Sequence, residues 1–172
     1  MPRISDQSLL EALLDSWDRN NTIMVNLLHA LPDNALDVRA MQDSPSVGEL
    51  FGHIYYVRLV LVAEACESAA EVPESEWSVE RDQNRMAQLL KQSAKAVRDA
   101  VKEKVESGQE LALYYDHPIL MLQHLLWHEG YHHGQIKLAL KLAGHPITDE
   151  VAGPVSWRVW LNKTKLPNKQ SE

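Results

Sequence analysis

The sequence predicts an all-α protein, an up-down four-helix bundle with a short fifth helix at its C-terminal end. Three observations carry that expectation. Apolar residues recur at steps of three and four along four long stretches. Capping and breaking residues stand where those stretches begin and end. No stretch sustains a two-residue alternation of the kind a half-buried strand needs. With 172 residues and a 45% hydrophobic content, the chain can bury one sizeable core, and residues 1–172 read as one domain.

The first helix is expected over about residues 6–31, with Ser5 or Asp6 as its cap. Leu9, Leu13, Trp17, Met24, Leu27 and Leu31 make its stripe, Asn20 and Asn21 interrupt it, and Pro32 follows. The second is expected over about 46–69. Ser44-Pro45-Ser46 supplies its cap, and Val47, Leu50, Phe51, Ile54, Val57, Arg58 and Leu61 face the core. The third, over about 78–107, carries Met86, Leu89, Leu90, Val97, Val101 and Val105 on one face and closes at Gly108. The fourth runs over about 118–142. Asp116 or His117 caps it, Pro118 suits its first turn, and Gly144 and Pro146 lie past its end. Trp157 and Trp160 place the short fifth helix within 155–161; LALYY at 111–115 is a packed loop, and the tail from about 163 is loose.

Charge and cysteine usage exclude several classes of function. A net charge of −7 without a basic stripe argues against nucleic acid and anionic membrane as partners. The single cysteine, Cys66, allows no internal disulfide and no CxxC site. The N-terminus lacks the apolar core of a signal peptide, and no apolar run is long enough to span a bilayer. The expected compartment is the cytoplasm.

The fourth helix holds the chemistry. Its core seam reads Met121, Leu125, His128, His132, Ile136, Ala139, so two histidines stand where a bundle wants leucine. Buried imidazoles need partners. Histidines at i and i+4 share one helical face, and both can reach one metal ion. HEGYH at 128–132 also matches the HExxH pattern of zinc peptidases. That reading needs a third ligand downstream, where the metzincin offsets hold Gln135 and Leu138 and only Asp149 and Glu150 precede the terminal Glu172. Half of a di-iron carboxylate site is present in Glu129-x-x-His132, but no second such pair exists.

The better third ligand lies upstream. His53 sits in the second helix beside the apolar stripe, between Leu50 and Val57 on its own face. Cys66 is thirteen residues further along the same helix, roughly 20 Å away at 1.5 Å per residue, too far to join it. His124 falls one turn before His128 and is expected behind the ligands or facing substrate. His29, His117 and His145 read as helix-end, cap and loop residues, and His133 as off the seam. Glu129 is a candidate base, or an orienter of a ligand imidazole, although a turn of about 100° separates it from His128. Tyr55, Tyr56 and Tyr131 are candidate donors near the cleft.

HLLWHEGYHHGQI at 124–136 resembles the last-helix motif of DinB-like proteins, and SPSVGELFGHIYYV at 44–57 resembles their second-helix motif. The resemblance implies a four-helix bundle in which His53, His128 and His132 form a histidine triad. It implies a divalent metal, zinc or nickel first and iron or manganese next, and often a homodimer. It also implies a small-molecule substrate, with relatives that are thiol S-transferases using low-molecular-weight thiols or a mycothiol-dependent isomerase. Hydrolysis of a small molecule is the other activity expected, because an ion on three neutral imidazoles can activate a bound water. A non-catalytic metal-binding or dimerising bundle is the alternative. Two departures stand out: His133 where the family usually has arginine before Gly-Gln, and Trp127 where it often has asparagine.

Overall fold

A computed structural model describes residues 6–161. They form α1 (Asp6–His29), a 3-10 turn (Ala35–Asp37), α2 (Val47–Ala65), α3 (Gln83–Ser107), α4 (Pro118–Leu142), α5 (Asp149–Val155) and α6 (Trp157–Leu161). Among the described residues there is no strand, only one isolated antiparallel bridge between Arg39 and Ser46. No helix there is long and apolar enough to cross a membrane. The expected cap at Ser5 and the tail from about 163 lie outside the described residues.

Local chemistry sets several boundaries where the sequence places them. Ser46 accepts from the Glu49 amide and Glu49 returns a bond to the Ser46 amide, a complete capping box at the start of α2. The His117 ring accepts from the Ile119 amide with Pro118 in the first turn, and α4 ends at Leu142. Gly108 closes α3 at φ 66°, a left-handed value that glycine adopts without strain. Other ends differ from expectation. α2 stops at Ala65, not near 69, and α3 begins at Gln83, where Asp82 caps it, not near 78. The stripe of α1 is shifted by one residue in its first turns: Leu10 and Leu14 are buried while Leu9 is exposed. The short helix expected within 155–161 is present as α6, and a further short one, α5, with Pro154 inside it, precedes it.

The core has two apolar clusters. One gathers Met24 and Leu28 of α1, Phe51 and Ile54 of α2, Met86 and Leu90 of α3, and Ile136 and Leu140 of α4. The other gathers Leu10 and Leu14, Val62 and Ala65, Val97 and Val101, and Met121 and Leu125. Each helix contributes to both clusters, so these memberships fix its direction. α1 and α4 run one way, and α2 and α3 run the other. The expected alternation therefore holds from α1 to α2 and from α3 to α4, but not from α2 to α3. The connection 66–82 runs back along α2 before α3 can start beside it, as in bundles with a long crossover.

Between the two apolar clusters lies a polar waist. Arg58 of α2 is completely buried and forms a two-pronged ion pair with Glu129 of α4, Nε to Oε1 and Nη2 to Oε2, each 2.7 Å. Its Nη1 donates to Asn21 Oδ1 at 2.9 Å and to the Leu90 carbonyl at 2.7 Å, and its guanidinium lies 5.0 Å from the Trp17 ring centroid. Asn20 Nδ2 donates to Glu129 Oε2 at 2.7 Å. The two asparagines that interrupt the α1 stripe are thus partners of a charge pair on the facing helices.

Candidate metal centre

His53 is set on α2 about one and a half turns before Arg58, and His128 and His132 flank Glu129 on α4. The waist therefore fixes the register of the two antiparallel helices, and three imidazoles meet just outside it. His128 Nε2 lies 3.0 Å from His53 Nε2 and 3.0 Å from His132 Nε2. One candidate ligand atom from each residue lies within 4.8 Å of the others, a grouping that could hold a metal ion. Bonds of about 2.0–2.1 Å to a tetrahedral ion put ligand nitrogens about 3.3 Å apart, close to the spacing seen. His53 and His132 are buried and His128 is half-buried.

Proton counting supports a cation between these rings. His132 Nδ1 is 2.7 Å from Gln135 Oε1, an atom that can only accept, so the ring proton sits on Nδ1 and Nε2 offers a lone pair. His128 Nε2 can donate to one neighbour but not to two. His53 Nδ1 and His128 Nδ1 are buried without a formed hydrogen bond. His53 Nδ1 does lie 3.0 Å from Glu76 Oε1, in ion-pair proximity but off the hydrogen-bond direction. Protonation is no remedy. Burial, reinforced by His132 and His53, holds the His128 pKa down to about 3. Burial also lowers His53 and His132, against the pull of Glu76 on the first and of Gln135 and Glu129 on the second. The rings stay neutral, which is the state that ligates.

The rim is aromatic. Trp77, from the crossover, stacks on His53 with centroids 4.5 Å apart and planes 8° from parallel. Tyr131 meets His132 edge-on at 5.2 Å and stacks with Trp127 at 6.2 Å. His124 is exposed, with Nδ1 2.7 Å from the Tyr115 hydroxyl. Tyr55 is half-buried against the first apolar cluster.

Glu129 is turned into the core. Arg58 donates to both of its oxygens, Asn20 shares one, and the carboxylate is fully buried. His29 and His145 are exposed at a helix end and in a loop. His133 is half-buried and faces a groove that also includes Leu27 of α1, Lys137 and Ala152. Cys66 caps the C-terminal end of α2, where burial pushes its thiol pKa up. Glu76, Trp77 and Gln135 escaped sequence reasoning. The first two lie beyond any local pattern, while the Gln of the GQI motif carried a signal in its i+3 spacing from His132.

Fold and site together define an all-α bundle with a cluster of neutral histidines between two antiparallel helices. The sequence model of the DinB family matches residues 5–152, and the chain belongs to that family. No curated protein and no solved structure matches the chain.

Proposed function

We propose that this chain binds one divalent metal ion through His53, His128 and His132 and acts on a small molecule, by thiol S-transfer or by hydrolysis. The observation that carries the reading is the convergence of three Nε2 atoms with too few protons to satisfy them. When bound, a divalent ion supplies a Lewis acid that lowers the pKa of a bound water or thiol towards neutrality. Zinc or nickel suits three imidazoles first, with iron or manganese next. The chain's own residues do the rest. Gln135 holds the His132 tautomer, Trp77 covers one face of His53, and Trp127 and Tyr131 offer an open aromatic rim on which a small substrate can rest.

In this reading Glu129 is a structural carboxylate that aligns α2 with α4. A peptidase is disfavoured for the same reason: its glutamate must reach a water at the metal, and this one is held by Arg58. The expected homodimer has a candidate face in the exposed residues Leu120, Leu138 and Leu142 on the outer side of α4.

Untagged protein should be stripped with a chelator, reloaded and analysed for metal. About one equivalent per chain is expected, as for a site with three protein ligands. Less than about a tenth of an equivalent would sink the proposal. Chelator-sensitive consumption of an electrophile by a low-molecular-weight thiol, or of an activated ester by water, then separates transfer from hydrolysis.

A further inference from the structure

The connection 66–82 exceeds the roughly 12–15 residues that structureless loops in compact domains rarely pass, so it calls for a role. Its path is pressed against α2 at two glycines. A Cβ on Gly52 would lie 1.9 Å from the Ser78 carbonyl oxygen, and one on Gly48 would lie 2.8 Å from Val79 Cγ1. Neither glycine has a positive φ, so close approach, not backbone conformation, explains them. Each glycine costs its helix about 1 kcal/mol relative to alanine, which marks the contact as one worth keeping. Seating Ser78 and Val79 in this notch delivers the two residues before them to His53. Trp77 lies flat on the ring at 4.5 Å, and Glu76 Oε1 stands 3.0 Å from Nδ1.

We propose that Glu76 and Trp77 are positioning residues for His53, delivered by a crossover segment that Gly48 and Gly52 seat against α2. The inference rests on the metal reading for its consequence, not for its geometry. An imidazole that offers Nε2 to an ion keeps its proton on Nδ1. The Nδ1 of His53 is buried with no formed hydrogen bond, and the Glu76 carboxylate stands 3.0 Å from it. Such a carboxylate fixes the tautomer and raises the basicity of the ligating nitrogen. Trp77 blocks the ring from turning away from His128. His132 receives the equivalent service from the amide of Gln135 within its own helix, whereas His53 receives it from across the bundle.

Two measurements test this on the full-length chain. The first is zinc affinity by competition with a chromophoric chelator, with the melting temperature of the metal-free form as a control. Glu76→Leu and Trp77→Ala should each weaken zinc about tenfold or more, and Trp77→Phe should hold within about threefold because it keeps a flat ring. The control should barely move, since both residues are about half exposed. Zinc affinity unchanged in both Glu76→Leu and Trp77→Ala overturns the proposal. The second needs no metal: nitrogen NMR of the His53 ring in stripped protein. The Nδ1–H tautomer should dominate in the wild type and give way to Nε2–H in Glu76→Leu, which removes the acceptor, and Gly52→Ala, which unseats the segment, should do the same. An unchanged tautomer in both variants also overturns it. A wild type that binds no zinc yet shows the tautomer change would defeat the metal reading and leave the positioning role standing.

Discussion

Two polar clusters bridge the same pair of helices, α2 and α4, and they meet at adjacent residues, His128 and Glu129. In the waist, Arg58 and Glu129 are fully buried and use their charged atoms on each other, on Asn20, Asn21 and a backbone carbonyl. At the rim, three imidazoles face one another with nitrogens left over. The first cluster is complete as it stands, and the second leaves His53 Nδ1 and His128 Nδ1 buried without a formed hydrogen bond. Buried polar groups that are saturated hold a structure in register, and those left short point to a ligand. The HExxH pattern spans both clusters, with its histidines in one and its glutamate in the other.

The largest expected effect breaks the waist. Arg58→Ala leaves the Glu129 charge buried and unpaired, at a cost of about 3–5 kcal/mol in urea unfolding. The double variant Arg58→Met, Glu129→Leu should recover most of that loss, because it removes both charges from the core. A double variant as unstable as the single one would mean that the waist contributes more than charge balance.

Next comes the rim. His128→Ala should abolish metal binding at ligand excess while changing the unfolding free energy of stripped protein by about 1 kcal/mol or less, since the side chain is half-buried and poorly partnered. A collapse of the metal-free fold on this substitution would erase the contrast between the clusters.

A smaller effect separates the clusters by pH. Burial lowers the pKa of His53 and His132 and holds that of His128 at about 3, whereas unfolded histidines titrate near 6.5. Between about 6.5 and about 3 the unfolded chain binds more protons than the folded one, so the stability of stripped protein falls as pH falls through that window and is flat just above it. Urea midpoints at about pH 8 and about pH 5 check this, and His128→Ala should weaken the slope. The smallest effect is expected of Gln135→Leu, which removes the acceptor at His132 Nδ1 and should weaken metal binding about tenfold with the fold intact.

What the sequence made legible follows from the range of the forces involved. The capping box at Ser46, the Gly108 end and the whole extent of α4 are settled within a few residues of chain, and they appear where local chemistry puts them. The three histidines were legible because seam positions carry a pattern and a resemblance supplied the pairing. Three features were not. Asn20 and Asn21 looked like interruptions because their partner, Arg58, is on another helix. Arg58 itself falls by spacing within the apolar stripe of α2. The buried position on the α4 seam is Glu129 rather than its half-buried neighbour His128, a distinction finer than helical periodicity resolves. The ends of the crossover, 66–69 and 78–82, read as helix in the sequence because the notch that seats Ser78 and Val79 belongs to α2, some thirty residues earlier.

The shared direction of α2 and α3 has a kinetic consequence. Two helices that run the same way cannot zip as a hairpin, and contacts across such a crossover close late because a long loop must be ordered first. Here those contacts include the seating of Trp77 on His53, and the His53–His128 contact spans 75 residues of sequence. The histidine cluster is therefore expected to assemble after the folding barrier. An ion bound there should slow unfolding and leave the refolding rate nearly unchanged, as stopped-flow traces with and without chelator would show.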